Sequence, residues 1–335
     1  MKLFRKILIP FVPAYYSVTW LRNVLYNLEI KKSASYGFPV ICVGNLSVGG
    51  TGKTPMIEYL ITLLKNDYKL ATLSRGYKRQ TKGFQLANGT SSSESIGDEP
   101  FQFYTKFNED ILVAVDADRQ HGIETLRALD NLPEIILLDD AFQHRKVKAG
   151  FNILLTTYSN PYYNDMLLPT GNLRECTAGA KRANIIVVTK CPEFLSEIEK
   201  SEIVAKINPE AYQYVFFSSI VYQNTVFSVN TTKNITNFKA FTLVTGIANA
   251  APLVDFLKSK SLEFDHLNFK DHHDFSVTDI AELSKKEFII TTEKDFMRLK
   301  QYSELKEKLF YLPIKVKIDN NVMFNNLIKA FVKRE

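Results

Sequence analysis

Short, uninterrupted apolar runs recur along the chain. Val40-Ile41-Cys42-Val43, Leu70 to Leu73, Ile111 to Val115, Ile135 to Leu138, Ile153 to Leu155 and Ile185 to Val188 are the main ones. Continuous rather than alternating hydrophobicity predicts strands covered on both faces, as in a parallel sheet with helices on either side. Segments able to form helices lie between most of the runs. After the first, Met56, Tyr59, Leu60, Leu63 and Leu64 recur at helical spacing. In such sheets ligands bind beyond the carboxyl ends of the strands, which is where chemistry is to be sought.

A further run, Tyr214 to Ile220, leads to a polar stretch with Asn224, Asn230, Thr231, Thr232 and Asn234. A boundary is expected there, near Asn237. Beyond it, FTLVTGI (Phe241 to Ile247), FIITTEKD (Phe288 to Asp295) and LFYLPIKVKI (Leu309 to Ile318) predict a smaller α/β unit. The expected division is an N-terminal segment 1–30, a larger core 31–236 and a smaller domain 237–335.

The N-terminus reads MKLFRKILIPFVPAYYSVTWLRN, uncharged from Ile7 to Leu21 and preceded by Lys2, Arg5 and Lys6. Its outline is that of a signal peptide, but two prolines, two tyrosines and the lack of a small-residue cleavage site weigh against one. The uncharged run is shorter than the ~20 residues a spanning helix needs. An interfacial segment is expected, with Leu3, Phe4, Ile7, Leu8 and Phe11 on one side; the alternative is docking on the protein's own core.

Composition narrows the classes. At 335 residues the chain suggests about two domains. With 45% hydrophobic and 23% charged residues and no low-complexity tract, it is an ordinary globular protein. The net charge of +6 favours anionic partners such as nucleotide phosphates, phospholipids or phosphorylated sugars. The basic residues are dispersed and no nucleic-acid module is visible, so no nucleic-acid partner is expected. Cys42, Cys176 and Cys191 are odd in number and form no C-x-x-C pair, which argues for a reducing compartment and against a disulfide frame or structural zinc site.

The candidate chemistry starts at VGNLSVGGTGKTP (Val43 to Pro55). The usual phosphate loop is G-x-x-x-x-G-K-[ST]; Gly52, Lys53 and Thr54 fit it, and Ser47 replaces its first glycine. Ser47, Val48, Gly49, Gly50, Thr51 and Gly52 would wrap phosphates with backbone N–H groups, Lys53 would supply the cation and Thr54 the hydroxyl for Mg²⁺. A plain glycine turn is the bland alternative. IILLDDAFQHR (Ile135 to Arg145) ends a strand in Asp139 and Asp140, where a second Mg²⁺-holding element is expected. If the strand persists they point to opposite sides and one reaches the metal. SIGDEP puts Asp98 in a glycine turn before a helix, which also suits an N-cap. FKDHHDFS carries the adjacent histidines His272 and His273, and Arg75, Arg119, Arg174 and Glu175 complete the candidates. Guanidinium forks suit phosphate recognition, although single arginines are often structural.

Together, GNLSVGGTGKTP, SRGYKR, GDEP, LDDAFQHR, LPTGNLRE, VTKC, VTGIAN, FKDHHDF and TTEKDFMRL resemble, in order, the tetraacyldisaccharide 4'-kinase family of lipid A biosynthesis in Gram-negative bacteria. The resemblance runs from the N-terminal segment to about Leu299. It implies transfer of the ATP γ-phosphate to the 4'-hydroxyl of a tetraacylated disaccharide 1-phosphate, peripherally on the cytoplasmic face of the inner membrane, with no obligate protein partner. It implies ATP and Mg²⁺ as cofactors, and a P-loop NTPase-like α/β domain with a second, smaller α/β domain. Lys53 and Thr54 match the phosphate and Mg²⁺ contacts and Asp139 and Asp140 the paired acids. Asp98 matches the proposed general base, and His272, preceded by Asp271, its partner. Arg75, Arg119, Arg174 and Glu175 match positions implicated in activity. Ala141 stands where the family often has glycine.

Two other functions compete. A nucleotide-hydrolysing switch would need a guanine-reading N-K-x-D motif, of which TEKD (Thr292 to Asp295) is a near miss. A non-catalytic membrane-bound nucleotide-binding scaffold would not need the set of acidic and basic groups.

Overall fold

The computed structural model describes residues 5–271 and 273–333. Among them the strands are β1 (Val40–Asn45), β2 (Leu70–Ser74), β3 (Gln85–Leu86), β4 (Ile111–Val115), β5 (Ile135–Asp139), β6 (Phe151–Thr157), β7 (Ile185–Thr189) and β8 (Tyr214–Tyr222). They continue with β9 (Thr225–Phe227), β10 (Thr232–Asn234), β11 (Ala240–Thr245), β12 (Glu263–Asn268), β13 (Ile289–Thr292), β14 (Leu309–Leu312) and β15 (Ile314–Ile318).

All six apolar runs are strands of one sheet, ordered β15-β8-β7-β6-β1-β5-β2-β4-β3. From β8 to β4 the neighbours are parallel, and only the edge strands β15 and β3 run antiparallel. One face is covered by Met56, Leu60, Phe103 and Phe324 from three helices, and the other by Ile123, Leu126 and Ile207 from two more. Burial on both faces is what the unbroken runs demanded.

The second sheet is ordered β10-β9-β14-β13-β11-β12, parallel from β14 to β12. Leu253 and Leu257 of the Ala251–Ser259 helix pack in one of its cores. Ile280, Leu283, Phe296 and Leu299, from the Val277–Leu283 and Glu293–Leu299 helices, fill the other.

The expected division at Asn237 is corrected in two places. β9 and β10 precede that point yet pair in the smaller sheet. β15 and the Asn321–Val332 helix follow it yet return to the larger unit: β15 pairs with β8, and Phe324, Ile328 and Val332 join the core of Ile41 and Met56. The physical reason is burial. In β15, Ile314, Val316 and Ile318 alternate with exposed Lys315 and Lys317, a one-sided pattern that suits the edge of a sheet.

A 3₁₀ turn (Lys6–Phe11) and the Val12–Asn27 helix bury no residue. Ile7 is 71% and Phe11 62% exposed, and Trp20 and Leu21 are exposed as well. Polar contacts hold this arm: Arg5 Nε donates to Pro169 O (3.0 Å), Tyr15 Oη to Arg174 O (2.8 Å) and Arg145 Nη2 to Asn27 Oδ1 (2.9 Å). Ile7, Leu8 and Phe11 of the expected apolar side are thus exposed, whereas Val12, Val24 and Leu25 are half-buried; Lys2, Leu3 and Phe4 lie outside the described residues.

Candidate active site

The 46–52 loop joins β1 to the Lys53–Leu64 helix, so its backbone amides precede a helix N-terminus. Gly49 (φ 114°) and Gly52 (φ 90°) occupy the left-handed region that requires glycine. Ser47 does not: it is buried and bridges Leu173, and Val48 N donates to Asn172 O at 2.8 Å. The missing first glycine thus costs the loop nothing. Gly44 serves another purpose, since a Cβ there would lie 2.5 Å from Phe142 Cβ, and its absence lets the Asp-Asp turn lie against β1. Side chains at two strand ends brace the loop. Asn45 Nδ2 donates to Thr51 Oγ1 (2.8 Å), Thr189 Oγ1 to Thr51 O (2.8 Å), and Lys190 Nζ to Gly50 O (2.7 Å).

β5 lies directly beside β1 with Val43 opposite Asp139, so the phosphate loop and the twin aspartates leave the sheet together. Asp139 is buried, and its Oδ1 has no hydrogen-bond partner among the described residues. Burial pushes its carboxyl up to about 7, with Asp140 adding and Lys53 opposing. The strand stops at Asp139. Asp140 turns into the left-handed region (φ 50°) and donates its N–H to Val43 O (3.0 Å), so the expectation that the two side chains diverge on a continuing strand does not apply. The Asp140 carboxylate accepts from Arg174 Nη1 at 2.9 and 3.1 Å and lies 3.6 Å from Lys53 Nζ. Ala141 is buried and has no positive φ, so glycine is not required there.

Arg119 begins the helix after β4 and is buried; Nη1 donates to Ala117 O (3.0 Å), and its guanidinium feels both aspartates and the charge of Arg75. Burial lowers its pKa. Arg75, after β2, is exposed. Glu175 is buried as a hub: its carboxylate accepts from Asn23 Nδ2 (2.9 Å), Gln143 Nε2 (2.9 Å) and Arg182 Nη2 (2.7 Å). Gln143 Nε2 also donates to Asn45 O at 2.8 Å, tying the hub to the end of β1.

Asp98 opens the Asp98–Phe107 helix and is held by Arg298 of the smaller unit, whose Nε lies 3.1 Å from Asp98 Oδ2. His272 lies outside the described residues. Its neighbour Asp271 lines a cavity of about 570 Å³ at the carboxyl ends of β11 and β12, with Asn249, His266, Asn268 and Lys270. A second link joins the units: Lys106 Nζ reaches Glu58 Oε2 (2.6 Å) and Glu293 Oε1 (2.7 Å). Sequence reasoning missed Arg298, Lys106 and Glu293. Glu293 and Arg298 lie within TTEKDFMRL, whereas Lys106 sits on the Asp98–Phe107 helix, outside every motif singled out from the sequence. Asp295 in that motif accepts from Gly246 N (2.8 Å) and Thr292 Oγ1 (2.7 Å), so TEKD caps a helix and fixes a loop.

The structure thus gathers Lys53, Asp139, Asp140, Arg119 and Arg174 around the phosphate loop, with Thr54 in the first turn of its helix. It sets Glu175 behind them and Asp98 at the junction of the units.

Residues 4–333 match the family described as Tetraacyldisaccharide-1-P 4'-kinase. The chain is 53% identical to the Tetraacyldisaccharide 4'-kinase of Flavobacterium psychrophilum and 52% identical to that of Flavobacterium johnsoniae; in both cases 99% of this chain and 98% of the relative are covered. A solved structure of LpxK from Aquifex aeolicus in complex with ATP superposes with a TM-score of 0.79 at 31% identity, covering 98% of this chain and 99% of that one.

Proposed function

We propose a mechanism for a chain that belongs to the Tetraacyldisaccharide-1-P 4'-kinase family. The protein is an ATP-dependent kinase of lipid A biosynthesis, acting on a hydroxyl of a tetraacyldisaccharide 1-phosphate. The observation that carries the site assignment is the pairing of β1 with β5, which sets the phosphate loop and the Asp139-Asp140 turn side by side.

The loop amides and Lys53 hold the ATP phosphates, and Arg174 and Arg119 place positive charge against the negative charge on the phosphate oxygens. Asp139 has the character of a cation ligand: a buried carboxylate with an oxygen that no described residue satisfies. Asp139, Asp140 and Thr54 would hold Mg²⁺, which in such sites takes one or two carboxylates and phosphate oxygens. Bound there, the ion would neutralise charge on the phosphates. Asp98 accepts the proton of the sugar hydroxyl as its oxygen attacks the γ-phosphorus and the electron pair of the breaking bond departs on ADP. His272 is assigned as its partner. Arg75 is assigned to the exposed rim of the site and Glu175 to holding the Arg174 loop.

The acceptor carries four acyl chains, and the exposed apolar arm supports a place for the enzyme at a membrane surface. No helix among the described residues is long and apolar enough to cross a membrane. We assign the chain to the cytoplasmic face of the inner membrane as a peripheral protein. The deciding assay offers γ-labelled ATP and Mg²⁺ with tetraacyldisaccharide 1-phosphate in detergent micelles. Label should appear on the acceptor, and hydrolysis without transfer would refute the assignment.

A further inference from the structure

Arg298 lies on the Glu293–Leu299 helix with its side chain 10% exposed. Its Nε donates to Asp98 Oδ2 at 3.1 Å and its Nη2 contacts the same oxygen. Behind it, Nη1 lies 3.7 Å from Asp295 Oδ1. Asp295 is itself immobilised by Gly246 N and Thr292 Oγ1, so the guanidinium has a fixed seat in the smaller unit and faces a carboxylate of the larger one. A cation this deeply buried is costly unless paired, and two guanidinium nitrogens converging on one carboxylate oxygen hold that oxygen in place as well as neutralising it.

Resting on the assignment of Asp98 as proton acceptor, we propose that Arg298 is its positioning residue. It keeps the carboxylate ionised and aims it from the opposite side of the junction, so the acceptor is competent only while the two units are engaged. The surrounding charges agree. Burial works against the Arg298 cation, but Asp98, Asp295 and Asp274 outweigh it and its pKa is raised. From its own helix Asp98 has Glu99 as neighbour, paired with Lys294 at 3.6 Å. The turn packed on Gly97 carries Arg75, Tyr77, Lys78 and Arg79, and His272 lies outside the described residues. Holding Asp98 as a weak base does not slow the reaction, because a loose phosphoryl transfer gives up the hydroxyl proton late.

The test is the pH dependence of kcat/KM for transfer from ATP to tetraacyldisaccharide 1-phosphate in micelles, measured for the full chain and for Arg298→Gln, Arg298→Lys and Asp98→Asn. An acidic residue beside an arginine has its pKa lowered by about 1–3 units, so Arg298→Gln should move the acid limb up by that much. On the acid side of both limbs its kcat/KM should fall by about 10-fold for each unit of that shift, with ATP affinity unchanged. Arg298→Lys keeps a cation but not the two converging nitrogens; it should leave the limb in place while lowering kcat. An unmoved limb in Arg298→Gln overturns the inference. Should that variant fail to fold, Arg298→Lys decides, and either a limb shifted by a full unit or an unchanged kcat overturns it. Near-normal turnover of Asp98→Asn would remove both the acceptor assignment and this inference, whereas an inactive Asp98→Asn beside an unmoved Arg298→Gln limb removes this inference alone.

Discussion

Asn23 donates from Nδ2 to Glu175 Oε2 at 2.9 Å, joining the exposed N-terminal helix to the residue that follows Arg174. The same carboxylate neutralises Arg182 and receives Gln143, so three segments converge on one buried charge. Glu175→Ala should lower stability by about 3 kcal/mol, the low end for breaking a buried ion pair, because Arg182 retains some access to water. Glu175→Gln should cost less and retain more kinase activity. Denaturant unfolding with parallel rate measurements checks both, and equal losses in the two variants would assign the carboxylate a direct part in the reaction.

Lys53→Ala and Asp139→Ala should each lower turnover by about 10²- to 10³-fold, the loss typical of removing a group that stabilises transition-state charge. The fold should survive, since Lys53 is partly exposed and Asp139 leaves an oxygen unsatisfied. Circular dichroism and single-turnover transfer decide it; folded variants with near-normal rates would take these residues out of the mechanism.

Asp98→Ala and His272→Ala should behave as one lesion. If His272 acts by orienting Asp98, the double variant is little slower than the slower single one. Multiplicative losses in kcat/KM would separate the two residues and make His272 a substrate contact or a structural group.

Glu293 should make stability depend on pH. Burial raises its carboxyl to about 7, with Glu58 adding and Lys106 opposing. Between the ordinary glutamate value and that one, the native state keeps a proton that the unfolded chain releases. The stabilisation is therefore complete below the ordinary value and lost as pH rises toward and through 7, by at most about 1.4 kcal/mol per pH unit. Glu293→Gln should flatten that decline. Urea unfolding at pH 5 and pH 8 measures it, and parallel curves for the two proteins would contradict the assignment.

Replacing Ile7, Phe11 and Trp20 by serine should weaken binding to anionic vesicles. Each large side chain contributes about 1.5–3 kcal/mol when fully buried, and partial insertion scales this down. Salt should release part of the intact protein and most of the variant in a sedimentation assay. Equal retention of both at high salt would place the anchor elsewhere.

The larger sheet was legible because its strands are buried on both faces and so read as unbroken apolar runs. The phosphate loop was legible because its glycines, lysine and threonine are contiguous. β15 was not, since it follows β14 across Pro313 alone and nothing local says that the two belong to different sheets. Arg298 and Asn23 escaped for a related reason: their partners Asp98 and Glu175 lie 200 and 152 residues away, and a single arginine or asparagine carries no mark of what it meets. Glu175 stands among the candidates by its place in LPTGNLRE, and a conspicuous charge in a motif looks the same in sequence whether it is a reagent or a brace.

The return of β15 and the Asn321–Val332 helix to the first sheet also sets an order of events during synthesis. When residues 225–312 emerge from the ribosome, every element of the smaller sheet is already present and can fold as a unit. The larger sheet, begun first, must wait: the outer edge of β8 stays unpaired, and the surface that Phe324 and Ile328 will cover stays open, until the following twenty residues have been made. An unpaired edge beside exposed apolar surface invites association with other chains. Nascent chains halted before Ile314 should therefore be the ones that recruit chaperones.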